Sequence, residues 1–487
     1  MIRIRGGHCF RLKGEPRLEV IDAPRPGCVA LCPRGFTLKP RIVVKVGQSV
    51  AAGQELLHDK VLPMVKWTSP AGGTVEEIRL GQRRALQAIV IRLPQDPADE
   101  QSVDFGAVTA KQAARLDVGD VVNRLLAAGL WPVLRRFPGD GLAPVPQSSD
   151  LASMQALYVS AVPGEPHSPR PTLVLAGCHE WFALGLRILS RLVPRTYVFS
   201  TPSVPLPLGQ MDLSDRVRHC VMQERTPAHH VGVQRYVTEG PWPTGRTGCV
   251  AGVDVEGVIQ VGHLFATGRP RTDRLYAIGG EAMPTQLHVK GRVGMCVRDL
   301  LGAAAMGGGN GDTNRRDAIN RVSTMARGED DGVENPIPGT RLIAGGLLTG
   351  RGVGTDDFLG FADHALQGLV EDRSRPLLAF LRLGMDKLTL SRAWGAALHP
   401  TARRGATASA HGEERACIQC GACLRVCPTE LMPNLLFKAA LAQDIERMER
   451  YSIQDCVDCG LCTFVCPSKI ELGRHIASGK RLIAREG

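Results

Sequence analysis

At 487 residues, with 44% hydrophobic and 22% charged side chains, the chain has enough apolar surface for three or four domains and cannot be disordered throughout. No run reaches the roughly 18 to 20 apolar residues of a membrane span, and the opening Met1 to His8 lacks the apolar core of a secretion signal, so neither a spanning nor an exported protein is expected. The 59 Lys+Arg against 48 Asp+Glu leave a net charge of +11, suited to a phosphorylated cofactor, an anionic membrane face or an acidic partner protein; nucleic acid has no motif behind it.

After an N-terminal segment (1–25), residues 26–95 alternate short apolar runs with glycine turns, which predicts a small β-sandwich. The stretch Lys45 to Leu56 (KVGQSVAAGQEL) followed by Thr68 to Ile78 (TSPAGGTVEEI) resembles the biotinyl/lipoyl hammerhead family, a barrel-sandwich hybrid. That resemblance draws Lys60 toward the role of a carrier lysine. The hairpin is short between Gly53 and Lys60, however, and Pro63 interrupts it, so a structural module is expected rather than a lipoylated or biotinylated one.

Residues 110–255 change to an α/β pattern. Helices are predicted over Asp120–Leu134 and Trp181–Leu192, and strands over Ala156–Ala161, Thr172–Ala176 and Thr196–Ser200, a Rossmann-like layer. A nucleotide site in such a layer opens a helix with bare glycines. Here Gly129-Leu130-Trp131-Pro132-Val133-Leu134-Arg135-Arg136 has one glycine and bulky neighbours, which weighs against tight flavin or dinucleotide binding. Residues 256–400 are expected to form one module: short strands and turns over Asp254–Leu301, a strand run over Arg341–Gly350, and a glycine-rich surface insertion at 302–331. No Lys-Ser/Thr follows the glycines from Gly307 to Gly311, so a phosphate loop is not expected there. A linker (401–415) with Arg403, Arg404, Gly405, Ser409 and Gly412 leads into the C-terminal unit.

Cysteine usage is the most informative feature. Of fifteen cysteines, Cys9, Cys28, Cys32, Cys178, Cys220, Cys249 and Cys296 are scattered, and eight lie between Cys417 and Cys466. An odd count points to a reducing compartment rather than a disulfide framework. The runs Cys417-x2-Cys420-x2-Cys423-x3-Cys427-Pro428 and Cys456-x2-Cys459-x2-Cys462-x3-Cys466-Pro467 have the spacing in which three thiolates wrap one cubane and the fourth reaches across to the other. One [4Fe-4S] cluster is therefore assigned to Cys417, Cys420, Cys423 and Cys466, and a second to Cys456, Cys459, Cys462 and Cys427. Gly421 and Gly460 stand where a side chain would crowd the cluster. Paired zinc knuckles have no use for a fourth cysteine three residues on and before proline. Between the runs, Leu431, Leu435, Leu436, Ala439, Leu441, Ile445 and Met448 recur at helical spacing, so residues 416–487 are expected to be an α-helical ferredoxin. Two neighbouring clusters imply one-electron relay, since clusters do no bond chemistry by themselves.

The remaining candidates are weaker. His8 with Cys9, the pair His229-His230, and Cys28 with Cys32 lack partners at ligand spacing and are expected to pack. Trp242, between Pro241 and Pro243, is expected in a rigid turn, with stacking on a ring ligand as the alternative. No catalytic side chain stands out.

Taken in order, the hammerhead string, Ala128-Gly129-Leu130-Trp131, Glu239 to Gly245 (EGPWPTG), His263 to Gly268 (HLFATG) with Thr272-Asp273-Arg274, and Leu461 to Pro467 (LCTFVCP) resemble the A subunits of the sodium-translocating NADH:quinone oxidoreductase (Nqr). That family is homologous to the C subunits of the Rnf ferredoxin:NAD oxidoreductase. The resemblance implies a β-grasp, soluble-ligand-binding-like module within 256–400. It also implies a peripheral electron-transfer subunit on the cytoplasmic side of the inner membrane, with the other members of the complex as partners and quinone as a further ligand. Familiar members of the Nqr family keep only a remnant of the cysteine pattern, whereas this chain has all eight. The Rnf-type alternative is an NADH-oxidising subunit with FMN. Of its acidic Glu-Pro stretch, Val162-Pro163-Gly164-Glu165-Pro166 keeps only Gly-Glu-Pro. A non-redox scaffold with structural clusters is the remaining alternative.

Overall fold

The computed structural model describes residues 1–33, 39–113, 115–139, 141–145, 154–211, 215–243, 248–307, 339–371, 383–385, 387–388, 395–408 and 413–486. Residues 308–331 of the expected glycine-rich insertion, Ser409 and Gly412 of the linker, and Thr244 and Gly245 lie outside them.

The first eight strands are β1 (Val20–Asp22), β2 (Cys28–Leu31), β3 (Pro40–Ile42), β4 (Ser49–Val50), β5 (Glu55–Asp59), β6 (Lys66–Thr68), β7 (Gly73–Leu80) and β8 (Leu86–Arg92), and all but β1 build the N-terminal module. A four-stranded sheet β2-β8-β7-β4 faces a three-stranded sheet β3-β5-β6, all pairs antiparallel. Val29, Leu31, Val50, Leu56, Trp67, Val75, Ile89 and Ile91 fill the core between them. At the β5–β6 turn the buried Asp59 carboxylate accepts from the Val61 and Lys39 amides (3.0 and 3.4 Å), and Lys60 is exposed beside it. The turn is thus tied down by a side-chain cap rather than left as a free swinging tip.

The next layer holds α1 (Ala110–Ala113), α2 (Val118–Ala127), β9 (Arg135–Phe137), β10 (Met154–Ser160), α3 (Pro171–Leu175), α4 (His179–Leu189), β11 (Thr196–Ser200), β12 (Val217–Val221), α5 (Val231–Glu239), β13 (Cys249–Asp254) and α6 (Val255–Thr267). Its sheet runs β12-β11-β10-β13-β9, parallel except for the edge strand β9. From β10 the chain winds outward through β11 and β12, then returns to the other side of β10 as β13. The strand order therefore reverses between β10 and β13. Helices α4 and α6 cross where a Cβ on Gly262 would stand 1.7 Å from the Trp181 carbonyl oxygen, and one on Gly185 2.1 Å from that of Val258. Only glycine lets these backbones approach so closely.

Three expectations need correction here. Thr172–Ala176, expected as a strand, lies in helix α3: Pro171 takes its first position, and so short an apolar run cannot by itself distinguish strand from helix. Val255–Thr267, expected as short strands and turns, forms α6. It is capped by Asp254, whose carboxylate accepts from the Gly257 amide at 2.7 Å, and it is buried almost all round, so no polar face marks its period. The helix expected to reach Leu134 stops at Ala127; Gly129 turns at φ +69° into a 3-10 turn at Trp131–Val133.

The third sheet, β1-β15-β14-β18-β16-β17, uses β14 (Asp273–Gly279), β15 (Leu287–Arg292), β16 (Thr340–Ala344), β17 (Arg351–Gly352) and β18 (Ala365–Val370), with α7 (Val297–Gly307) packed against it. Its edge strand β1 comes from the N-terminal segment and runs parallel to β15. That segment also bridges Ile2 to Met222, His8 to Thr226 and Leu12 to Arg404, so it ties the units together instead of standing apart. At the C-terminal end α8 (Ala422–Val426), α9 (Pro433–Leu441), α10 (Ile445–Arg450), α11 (Leu461–Phe464) and α12 (Leu472–Glu486) enclose Leu436, Phe437, Met448, Ile453, Leu472 and Ile476. Among the described residues no helix is long and apolar enough to cross a membrane.

Candidate metal centre

The two cysteine runs fold into the same local shape. Gly421 and Gly460 take φ +70° and +73° and open α8 and α11, while Gln419 and Asp458, one residue before the second cysteine of each run, take φ +52° and +49°. Left-handed residues alternating through a short loop turn successive amides toward one point, a concavity suited to an anion such as a thiolate-bound cluster. Glycine follows the second cysteine in each run because a Cβ is strained at that φ.

Sequence assignment put Cys417, Cys420, Cys423 and Cys466 together, and the structure places all four on the wall of one hollow with Asn434, Ile470 and Leu472. Cys420 lies exposed at its rim. The other four thiols sit deeper. Burial first, joined by the charge of Cys427 on both and of Cys462 on Cys459, pushes Cys459 and Cys462 up to about 12. Cys456 is pushed well above its ordinary value by burial and then by Asp458 and Cys462, against the lowering influence of Lys480. Cys427 thus lies close to the second run although it ends the first. Its Sγ accepts from the Leu431 amide at 3.3 Å. Because Cys427 and Cys462 raise their neighbouring thiols, the group resists ionising together. Iron supplies the positive charge that lets four thiolates share a site, so the donor set fits a cluster. Among the described residues no three His, Cys, Asp or Glu side chains gather tightly enough to hold a single metal ion.

The N-terminal segment, which sequence reasoning passed over, lies across this second group. A Cβ on Gly6 would stand 2.1 Å from the Cys427 carbonyl oxygen, and the Gly7 amide donates to Val426 O at 2.9 Å. The Arg225 guanidinium holds the strap from the other side by donating to Gly6 O at 2.9 Å and Ile4 O at 3.4 Å. Further along, His8, Phe10 and Phe464 form an aromatic cluster beside α11, with centroids 4.6 Å apart for His8–Phe10 and 5.1 Å for Phe10–Phe464. The adjacent pair Gly6-Gly7 was the one available signal.

A cavity of about 470 Å³ opens on the other side of the second run, against Cys456, Val457 and Lys480. It lies just beyond the carboxyl ends of β10 and β13, at Ser160 and Asp254, where the strand order reverses and open α/β sheets bind ligands. His229 and His230 line it. Burial lowers them to about 4 and about 3, so both are neutral, and His230 Nδ1 caps α5 by accepting from the Gly232 amide at 3.0 Å. Gln234 Oε1 and Arg274 Nε, on two more wall residues that are almost fully buried, have no hydrogen-bond partner among the described residues.

The N-terminus of α6 in this cavity offers no open phosphate site. Asp254 and Glu256 occupy the N-terminus of α6, where a phosphate would seek bare amides. On the loop Gly129–Arg136, where tight flavin binding is not expected, Trp131 is buried with its indole N–H donating to Ala143 O at 3.1 Å, and Pro132 has no N–H to offer. Glu165 of the Gly-Glu-Pro remnant is committed elsewhere, accepting from the Leu348 amide at 2.6 Å and from the Thr349 hydroxyl. Trp242 is no stacking platform: Arg235 lies over its ring at 4.5 Å, and its amide is fixed by the buried Asp455 carboxylate at 3.0 Å.

A family model described as the NqrA N-terminal barrel-sandwich hybrid domain matches residues 2–94, one described as the NqrA second alpha/beta domain matches 116–270, and a 4Fe-4S dicluster domain matches 407–470. The NqrA protein of Shewanella amazonensis, a component of its Na(+)-translocating NADH-quinone reductase, is 30% identical over 92% of this chain and 90% of its own length. The counterpart in Pseudomonas aeruginosa strain UCBPP-PA14 is 30% identical over 92% and 91%, and that in a Marinomonas species 27% over 100% and 100%. Sharing that identity over nearly its whole length, the chain belongs to the NqrA family of Na+-translocating NADH-quinone reductase subunits and carries a 4Fe-4S dicluster domain at its C-terminal end.

Proposed function

We propose that this chain is the electron-relay subunit of a membrane-bound, ion-translocating NADH:quinone oxidoreductase, lying on the cytoplasmic face. In this reading it passes single electrons through two [4Fe-4S] clusters. Cys417, Cys420, Cys423 and Cys466 hold one, and Cys456, Cys459, Cys462 and Cys427 hold the other. The observation that carries the reading is the doubled loop with its exchanged fourth cysteine. Bound there, the clusters would supply reversible one-electron transfer. The chain's own part is to present thiolates from two left-handed loops, to aim the Leu431 amide at Cys427, and to exclude water with the strap Ile4–His8. The exposed Cys420 and the cavity at Cys456 are the two exchange points of the relay in this reading. The sub-folds expected from sequence, a Rossmann-like layer, a β-grasp module and an α-helical ferredoxin, belong to the same proposal. The ion path then lies in partner subunits.

The cavity beside Cys456 favours a second reading, in which NADH and FMN deliver electrons there as in the Rnf-type entry subunits. The occupied helix terminus and the blocked loop argue against the flavin phosphate; quinone, which has no phosphate, meets no such obstacle. Incubation of the purified complex with FMN and NADH separates the two: the relay reading predicts no bound, NADH-reducible flavin on this chain, and its appearance would overturn that reading. Cys420→Ala and Cys459→Ala variants are expected to stop NADH-driven quinone reduction by the assembled complex. Undiminished turnover would reduce the clusters to scaffolding.

A further inference from the structure

Cys28 and Cys296 are 268 residues apart in sequence, and neither belongs to the cysteine runs. Strand β2 is the edge of its sheet, and the turn after β15 closes that edge. The Ala30 amide donates to Gly294 O at 2.8 Å, and Val29 bridges Met295 in antiparallel register. One step along that register sets Cys28 opposite Cys296, as one step back sets Ala30 opposite Gly294. The crossing is tight: a Cβ on Gly294 would lie 2.1 Å from Ala30 O, and Gly294 takes φ +75°.

Side chains alternate across such a pair. Val29 and Met295 turn into large cores on one face. On the other face Cys28, Ala30 and Cys32 meet Cys296, Ala88, Val90 and Phe358 in a small apolar cluster of their own. Both Cys28 and Cys296 are half-buried, so a small reagent can reach them. Residues directly opposite in an antiparallel pair stand about 4.5 to 5.5 Å apart at Cα, inside the roughly 4.4 to 6.8 Å that a disulfide spans. Cys32, four residues along an extended strand from Cys28, stands about 13 Å away and is out of reach. Burial holds both thiols above their ordinary value, Cys296 at about 11, and Asp299 adds to it in each case. They are therefore protonated at neutral pH and exchange slowly.

We propose that Cys28 and Cys296 form a redox-responsive thiol pair whose oxidation staples the N-terminal β-module to the third sheet. With a low-molecular-weight disulfide RSSR as oxidant, the two thiols lose two electrons and two protons, their sulfurs join, the S–S bond of RSSR breaks, and two RSH leave with the protons. The staple closes a very long loop in the unfolded chain, so it raises thermal stability. In a chain suited to a reducing compartment, such a pair is a switch rather than a scaffold.

The test is anaerobic incubation of the full chain, loaded with iron and sulfide, with oxidised glutathione over hours, followed by alkylation and peptide mass analysis. Exposed Cys9 serves as the control for reagent access. The expected product is a cross-linked peptide pair containing Cys28 and Cys296, lighter by two hydrogens and reopened by dithiothreitol, with a rise in melting temperature that Cys28→Ser and Cys296→Ser each abolish. Free, alkylated Cys28 and Cys296 in a sample whose Cys9 has reacted would overturn the proposal, as would stable glutathione adducts on either.

Discussion

Gly6 shows how much a single missing Cβ decides. Its backbone lies on the Cys427 carbonyl, and the strap it belongs to is clamped by Arg225. Gly6→Val should lift the strap at a cost of about 1–3 kcal/mol or more, as overpacking of a filled site does. Iron then escapes faster in air while the iron content of fresh anaerobic protein stays unchanged; equal rates of bleaching in variant and parent would show that the strap shields nothing. His229 and His230 set a pH dependence. Their folded-state values, lowered by burial to about 4 and about 3, lie below the unfolded value of about 6.5. Between these limits the unfolded chain binds protons that the folded chain refuses, so this contribution is whole above about pH 6.5 and is lost as pH falls. Melting temperature should drop from pH 7 to pH 5, and His229→Gln should flatten that slope.

Among the elements, the α4–α6 crossing is the most exacting. Gly262→Ala sets a methyl group against the Trp181 carbonyl, and because the atom it meets is backbone rather than a flexible side chain the clash is not readily relieved. A loss of about 1–3 kcal/mol in denaturant unfolding is expected, against a few tenths for Gly302→Ala, whose Cβ meets nothing. Legibility in sequence varied element by element for physical reasons. The cysteine loops were readable because cluster chemistry demands both residue type and spacing. Thr196–Ser200 was readable as a strand because its β-branched and aromatic run ends at turn residues. Helix α6 was not, since burial on every side erased its polar face, and α3 was too short to show a period. The Asp59 cap that fixes the turn beside Lys60 is invisible without the fold.

On the scale of the whole molecule, the site is assembled from parts distant in sequence. Residues 4–10 close one side of the second cysteine run, and β10, β13 and α5 wall the cavity on its other side. Eight candidate cluster ligands could be named from spacing alone. The strap, the cavity and the Cys28–Cys296 register could not, because each depends on how domains meet. The proposed relay makes one demand: two reducible clusters in one chain. Iron and sulfide analysis of anaerobically purified protein, with electron paramagnetic resonance after dithionite, measures this directly. The account predicts about eight iron per chain and spectra of two magnetically interacting [4Fe-4S] centres; bound zinc, or about four iron with a single isolated signal, would contradict it.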